Sequence, residues 1–133
     1  MLAPMRRAPD AGKLRILIID DSRHFLNAAR GALEQDGMTV VGVGSTVAEA
    51  RRLARELRPD GILVDIDLGD ENGLDLARQL AASGAAPVVL ISAYPESELV
   101  DVIAASPAIG FLSKSDLSAG AVARLFATER GPG

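Results

Sequence analysis

The sequence predicts an α/β protein in which helices cover both faces of a parallel β-sheet. Five short segments rich in Val, Ile and Leu alternate with five helical patterns along the 133 residues, and this alternation is typical of a parallel sheet with right-handed crossovers. Three of the apolar segments are continuously hydrophobic, as strands covered on both faces are. The length fits one domain, since domains commonly have about 100–150 residues.

Each predicted strand is short and follows a turn or a helix end. The five strands are predicted at Leu14–Asp20, Thr39–Ser45, Gly61–Asp67, Pro87–Ala93 and Ala108–Ser113. They recur about every 25 residues, but the units share no motif, so the pattern favours a single sheet over a solenoid of repeats.

Between the strands, apolar residues recur every three to four positions, which is the spacing of a helix with one buried face. Helices are predicted at Ser22–Gln35, Thr46–Arg58, Asn72–Ser83, Glu96–Ala105 and Asp116–Thr128. Thr46 and Glu49 have the spacing of a capping box, which indicates where the second helix begins. The predicted domain therefore covers residues 14–128, and residues 1–13 and 129–133 are predicted to be loose tails.

Composition and charge exclude several classes of function. With 14 Lys and Arg against 18 Asp and Glu, the net charge is −4, and an acidic chain lacks the basic surface of a nucleic-acid or anionic-membrane binder. The chain has no cysteine and a single histidine, His24, which excludes disulfides and multi-histidine metal sites. His24 is predicted to be a surface residue. No apolar run approaches the roughly 18 residues that span a bilayer, and the sequence predicts a cytoplasmic protein.

Polar side chains collect where the predicted strands end, at the edge where open parallel sheets bind ligands. They are Asp20, Asp21, Asp65, Asp67, Ser92 and Lys114. Crowded carboxylates repel one another unless a cation lies among them, and a few carboxylates with several waters suit Mg²⁺. A lysine, a hydroxyl and a metal together stabilise a phosphoryl group. These residues predict an acidic Mg²⁺ pocket with one aspartate as a phosphoryl acceptor.

Each of these residues also has a purely structural interpretation. Asp21 and Ser22 can both cap a helix, a serine after a strand is commonly a turn residue, and a single lysine is commonly a solvated charge. Asp65 is harder to explain in this way, because it follows the apolar residues 62–64 in a strand that should be buried, where an unpaired charge is costly. The occurrence of all these residues at strand ends favours a functional site.

Four motifs resemble those of the receiver domain of bacterial two-component response regulators. The motifs are ILIIDDS, ILVDIDLGDENGLDLAR, VVLISA and GFLSK, and they contain the acidic pair Asp20–Asp21, then Asp65 with Gly73, then Ser92, and finally Lys114. The resemblance extends from Leu14 to about Thr128. It implies a flavodoxin-like (βα)5 doubly wound sheet with strand order 2-1-3-4-5.

The resemblance also implies a role for each acidic residue. Asp65 accepts a phosphoryl group from a histidine of a sensor kinase or a phosphotransfer protein. Asp21 and Asp65 bind Mg²⁺, or Mn²⁺ in its place, together with the backbone carbonyl of Asp67, while Asp20 acts mainly through a water. The chain is then a signalling domain that assists its own phosphorylation and dephosphorylation, and not an enzyme acting on a separate substrate.

The switch implied by the resemblance involves three further residues. Ser92 and Lys114 bind the phosphoryl oxygens, and Phe111 turns inward when Ser92 moves. The face formed by the fourth helix, fifth strand and fifth helix is then read by an output protein or by an output domain that follows in a longer protein. A homodimer through the same face is a further possibility, and the sequence leaves these choices open.

Some positions depart from the family pattern. Ser115 follows Lys114 where the family usually has a proline after a cis peptide, so the isomer of the Lys114–Ser115 bond stays open. Gly69 stands where a proline is common. Asp67 and Tyr94 each lie two residues beyond a site residue, and they are predicted to alter how water reaches the phosphoryl group.

Two other functions fit parts of the sequence. Asp65-Ile66-Asp67 also resembles the DxD motif of haloacid-dehalogenase-type phosphatases and the metal motif of Toprim nucleases. The phosphatase motif normally lies on the first core strand, whereas this one lies on the third. A pseudo-receiver that binds partners without phosphorylation is the second alternative, and the complete acceptor set argues against it.

Overall fold

A five-stranded parallel sheet lies between two layers of helices in the computed structural model, which describes residues 14–130. The strands are β1 (Arg15–Ile19), β2 (Thr39–Gly44), β3 (Gly61–Asp65), β4 (Asp67–Leu68), β5 (Glu71–Asn72), β6 (Val88–Ser92) and β7 (Gly110–Ser113). The helices are α1 (Arg23–Gln35), α2 (Val47–Leu57), α3 (Gly73–Ala82), α4 (Val100–Ala104) and α5 (Ala119–Arg130). The strands β4 and β5 form a separate two-stranded hairpin.

The central sheet has the order β2-β1-β3-β6-β7, and all its strand pairs are parallel. Because the hairpin adds two short strands to the numbering, this is the predicted order 2-1-3-4-5, and the flavodoxin-like fold is confirmed. The pairing of β1 with β2 shifts register between Ile16 and Leu17. In the parallel sheet all five strands end at one edge, which is where the predicted site residues lie.

Two hydrophobic cores lie on opposite faces of the sheet. Alternate strand residues such as Ile18 and Leu63 pack with residues of α1 and α5, while their neighbours Ile19 and Val64 pack with residues of α2 and α3. Side chains of a strand point alternately to the two faces. This explains why consecutive residues of the central strands are apolar except at the strand ends, since both faces are covered.

Side-chain caps fix the starts of α1 and α2. Ser22 Oγ accepts a hydrogen bond from Phe25 N at 3.1 Å, and Thr46 Oγ1 accepts one from Glu49 N at 3.1 Å. The capping box predicted at the second helix is present with one difference. The N–H of Ser45, the residue before the cap, donates to Glu49 Oε1 at 2.8 Å, in place of the N–H of the cap residue itself.

The fourth predicted helix is shorter than expected. Residues 96–105 were assigned to one helix, but a 3₁₀ turn occupies Glu96–Glu98 and the α-helix covers only Val100–Ala104. Leu99 between them has φ −124° and ψ 15°, outside the helical region. No residue of the 3₁₀ turn is buried, so no packing stabilises a regular helix there.

Most other elements begin or end one to three residues from their predicted bounds, and the differences at the third strand and the fifth helix bear on the site. The strand predicted at Gly61–Asp67 ends at Asp65, because Asp67 pairs with Asn72 in the hairpin. The fifth helix begins at Ala119 instead of Asp116, since Lys114–Asp116 forms a 3₁₀ turn. It runs to Arg130, so residues 129 and 130, predicted as tail, are helical. The rest of the predicted tails, residues 1–13 and 131–133, lies outside the described residues.

Within residues 14–130, no helix combines the length and the apolar character needed to cross a membrane.

Candidate functional site

The carboxyl ends of β1 and β3 bring Asp20 and Asp65 side by side. Ile19 pairs with Val64 in adjacent parallel strands, and each aspartate follows directly. Ile18 and Leu63, two residues before the aspartates, both pack in the core formed with α1 and α5, so strand alternation directs both carboxylates towards that side.

Lys114 joins the two carboxylates. Its Nζ lies 2.6 Å from Asp20 Oδ2 and 3.1 Å from Asp65 Oδ2, although 49 positions separate Lys114 from Asp65. Asp20 is fully buried and Asp65 is 5% exposed. Buried carboxylates need such a partner, because an unpaired charge inside a protein is costly.

The remaining oxygens of these carboxylates are held by the backbone. Asp20 Oδ1 accepts a hydrogen bond from Ser22 N at 2.8 Å, and Asp65 Oδ1 accepts one from Asp67 N at 3.1 Å. Each carboxylate therefore has one oxygen tied to its own loop and the other directed at Lys114. This arrangement fixes the orientation of both side chains before any ligand binds.

The environment of Asp65 raises its pKa to about 6. Burial is the main cause and the charge of Asp20 adds to it, while the Asp67 N–H and Lys114 act in the opposite direction. Burial disfavours the charged form of Lys114 as well, but its bonds to Asp20 and Asp65 outweigh burial and raise its pKa above the ordinary value of 10.5. Near neutral pH, most Asp65 side chains are therefore ionised beside a charged lysine.

Three carboxylates at this edge can share one cation. Oxygens of Asp20, Asp21 and Asp65 lie within 4.8 Å of one another. The buried Asp20 Oδ2 has no hydrogen-bond donor aligned with it, since its contact with Lys114 is an ion pair without hydrogen-bond geometry. Three carboxylates beside one ammonium leave two negative charges, which a hard divalent ion such as Mg²⁺ or Mn²⁺ would balance.

Asp67 is not part of this carboxylate group. Its side chain is exposed, and its Oδ1 accepts a hydrogen bond from Gly69 N at 3.1 Å within the hairpin. Among residues 14–130, the acidic group that can hold an ion contains only the other three aspartates. A role of Asp67 in metal binding therefore depends on its backbone carbonyl, as the family resemblance implies.

Gly73 brings the start of α3 against the end of β3. Its N–H donates to Ile66 O at 2.9 Å, and a Cβ at this position would lie 1.9 Å from the backbone oxygen of Asp65. Any other residue would collide with the strand. This close approach explains why a glycine opens the third helix.

Ser92 and Phe111 lie on the face of the sheet that α2 and α3 cover, opposite to Asp20 and Asp65. Ser92 ends β6, is 4% exposed, and accepts a hydrogen bond from Tyr94 N at 3.0 Å. Phe111 in β7 is 8% exposed and packs in the core formed with α2 and α3. This hydrogen bond of Ser92 lies within its own loop. No peptide bond in the described part of the chain is cis, so the Lys114–Ser115 bond is trans.

The sequence did not reveal the role of Phe25. This residue of α1 was assigned only to the apolar face of its helix, yet its ring centroid lies 4.3 Å from Lys114 Nζ. The contact joins residues far apart in the chain. The only sequence signal for it is that Phe25 lies one helical turn after the acidic pair. His24 beside it is exposed, which agrees with the predicted surface position.

Comparisons with known proteins show which family the sequence resembles. The sequence model of the response regulator receiver domain matches residues 16–121. The transcriptional regulatory protein PdtaR of Mycobacterium tuberculosis is 28% identical over 114 residues, which are 86% of this chain and 56% of PdtaR. The DNA-binding response regulator MtrA of Mycolicibacterium smegmatis is 35% identical over 96 residues, 71% of this chain and 40% of MtrA.

A solved structure shows the same architecture. The signal receiver domain of a modulated diguanylate cyclase from Desulfovibrio desulfuricans matches with a TM-score of 0.72 and 33% identity, over 86% of this chain and 91% of that domain. The two regulators above are longer proteins, and this chain matches only about half of their length.

Proposed function

The chain belongs to the family of response regulator receiver domains, and on this premise we propose that Asp65 accepts a phosphoryl group from a histidine kinase or a phosphotransfer protein. The observation that supports the proposal most strongly is the bridge that Lys114 makes between Asp65 and Asp20. It combines a buried, ionised acceptor with a cation that can pair with added negative charge. We propose the cytoplasm as the compartment.

The proposed reaction is a transfer between two side chains. An oxygen of the Asp65 carboxylate attacks the phosphorus of a phosphohistidine, and the new P–O bond forms as the P–N bond breaks. The electron pair of the broken bond stays on the imidazole nitrogen. The Asp67 N–H holds the Asp65 carboxylate in place, and Lys114 offsets the charge that arrives with the phosphoryl group.

Asp21 and Asp65 would hold Mg²⁺ or Mn²⁺ together with the Asp67 carbonyl, and Asp20 would act through a water. The exposed position of Asp21 at the rim and the buried position of Asp20 below it support this division. The cation, when bound, would shield the negative charges of the acceptor and the incoming phosphoryl group from each other.

The proposed output is a change in the face formed by α4, β7 and α5. Phosphorylation adds a charge of about −1.5 to −2 and new acceptor oxygens, which Ser92 and Lys114 would bind. Phe111 lines a groove of about 210 Å³ beside β7, together with residues 95, 96, 112, 113, 115 and 116. An output protein, an output domain of a longer regulator or a second copy of the chain would read this surface.

Incubation with acetyl phosphate and Mg²⁺ tests the proposal. We expect the intact mass of the wild type to rise by one phosphoryl group, and the mass of Asp65→Ala to stay unchanged. Asp75→Ala is the matched control, because the Asp75 carboxylate is exposed on α3 and pairs with Arg78. The control should gain the same mass as the wild type, and omission of Mg²⁺ should abolish the gain.

Other outcomes would favour the alternatives. Multiple turnover of p-nitrophenyl phosphate, lost in Asp65→Ala, would favour a DxD phosphatase, and Mg²⁺-dependent nicking of plasmid DNA would favour a nuclease. A folded wild type that gains no mass from acetyl phosphate would indicate a pseudo-receiver. Any of these results would contradict the acceptor role of Asp65 in a phosphorelay.

A further inference from the structure

The ammonium group of Lys114 has a third neighbour besides the two carboxylates. Its Nζ lies over the ring of Phe25, 4.3 Å from the centroid, and only 20% of the lysine side chain is exposed. A cation this close to a ring centroid interacts with the negative face of the ring, and the attraction grows when water is excluded. Lys114 is therefore held by an aromatic face as well as by Asp20 and Asp65.

The location of Phe25 makes this contact specific to the site. Ser22 caps α1 through the N–H of Phe25 at 3.1 Å, and the N–H of Ser22 holds Asp20 Oδ1 at 2.8 Å. The same short segment thus orients Asp20 and places the ring against Lys114. The ring is half-buried and packs at the margin of the core formed with α1 and α5.

Lys114 needs such support because its side chain is long and flexible. It has four rotatable bonds, and ordering such a side chain costs conformational entropy. The carboxylate of Asp65 is the group that changes in the proposed reaction, so its contact with the lysine changes too. The ring of Phe25 does not change, and it can hold the ammonium through both stages.

We propose that Phe25 is a positioning residue that keeps the Lys114 ammonium at the acceptor through a cation–π contact. The proposal rests on the proposed function of Asp65. In this proposal Phe25 does not contact the phosphoryl donor. Phe25 affects phosphorylation only by positioning Lys114. An alternative is that Phe25 serves only to pack α1 against the sheet, and the experiment must separate the two.

A double-mutant cycle separates positioning from packing. Phe25→Leu keeps an apolar side chain but removes the ring, Phe25→Tyr keeps the ring, and Lys114→Met removes the cation. The rate of phosphorylation is measured at saturating phosphoramidate and Mg²⁺, so that no partner protein is involved. Thermal unfolding of every variant checks that the compared proteins are folded.

We expect Phe25→Leu to lower the maximal rate about three- to tenfold, in line with a cation–π contact that is partly shielded from water. Phe25→Tyr should stay within about twofold of the wild type. In the Lys114→Met background, Phe25→Leu should cause no further loss. An equal loss in both backgrounds, or an equal loss in Phe25→Tyr, would overturn the proposal.

A spectroscopic measurement tests the contact without any phosphoryl transfer. The ring should shift the NMR signals of the Lys114 ε-methylene protons upfield in the wild type and in Phe25→Tyr, but not in Phe25→Leu. Identical signals in the wild type and Phe25→Leu would refute the contact. A wild type that shows the shift but gains no phosphoryl group would refute the acceptor role of Asp65. The same result would still support the contact between Phe25 and Lys114.

Discussion

At the scale of single residues, Asp65 combines burial with a negative charge. Its pKa of about 6 lies above the ordinary value of 3.8, chiefly because of burial. A raised carboxyl pKa means that ionisation opposes folding above about pH 6. This cost disappears as the pH falls from about 6 towards 3.8, because the folded state takes up its proton first.

The first prediction concerns the stability of Asp65→Asn. The neutral amide avoids the cost of a buried charge, so at pH 8 we expect this variant to be more stable than the wild type by roughly 1–3 kcal/mol. The difference should shrink below pH 6 and vanish near pH 4. Urea unfolding at pH 8, 6 and 4 measures it. An unchanged difference across this range would contradict the shifted pKa, and Asp75→Asn serves as an exposed control.

The second prediction concerns Asp67, whose exposed carboxylate lies two residues beyond the acceptor. Asp67→Asn removes its charge but keeps an oxygen that can accept from Gly69 N, so the hairpin should persist. We expect the aspartyl phosphate to decay about two- to fivefold faster, because less negative charge opposes the attack of water. Decay is followed by intact mass, with Asp70→Asn in the same hairpin as control. Equal decay of Asp67→Asn and wild type would refute the prediction.

The sequence predicts the proximity of some site residues and not of others. Asp20, Asp65 and Lys114 follow strands, so the topology alone brings them to one edge of the sheet. The contact of Phe25 with Lys114 depends on how α1 packs and which rotamers both side chains adopt. No local pattern in the sequence encodes this information.

At the scale of elements, Gly73 determines how α3 meets the acceptor strand. A Cβ there would lie 1.9 Å from the backbone oxygen of Asp65, whereas a Cβ at Gly31 in α1 would meet nothing within 4 Å. Gly73 and Gly31 therefore form a matched pair. One is required by a close approach, and the other is not.

The third prediction compares Gly73→Ala with Gly31→Ala. We expect Gly73→Ala to destabilise the fold by about 3 kcal/mol or more, because the strand end must move to admit a methyl group. Gly31→Ala should stabilise it by about 0.5–1 kcal/mol, since alanine is the better helix former. Chemical denaturation measures both. A loss below about 1 kcal/mol for Gly73→Ala would contradict the close packing.

The elements that the sequence predicted incorrectly have few apolar residues. The hairpin of β4 and β5 has two-residue strands, too short to show alternation, and it forms around a turn at Gly69 with φ +73°. The segment 96–99 was assigned to a helix because Leu99 has helical spacing to the residues after it. Its exposed first turn instead adopts a 3₁₀ conformation.

At the scale of the whole molecule, the sheet separates Asp65, the proposed acceptor, from the proposed switch residue Phe111. Asp65 and Asp20 point towards the side of α1 and α5, while Phe111 packs with residues of α2 and α3. The overall architecture follows from the sequence, because five alternating strand and helix patterns leave few topologies. The two cores follow in the same way from strands whose consecutive residues are apolar except at the strand ends.

The fourth prediction concerns Phe111. Beryllofluoride with Mg²⁺ imitates a phosphoryl group on Asp65, and we expect it to shift the ring signals of Phe111 in NMR spectra, because Ser92 and Lys114 would move towards the new oxygens. Phe126 is the control, since its ring is 1% exposed in the opposite core. Shifts of the amides around Asp65 without a shift at Phe111 would contradict the aromatic coupling.

The outer strands of the sheet also bear on how the protein behaves at high concentration. In the described part of the chain, β2 lies at one border with an irregular pairing to β1 and two glycines, and β7 lies at the other with four residues. Long, flat border strands recruit strands from other molecules and start aggregates, whereas short or bulged ones do so poorly. Pairing of the sheets of two copies along either border is therefore disfavoured.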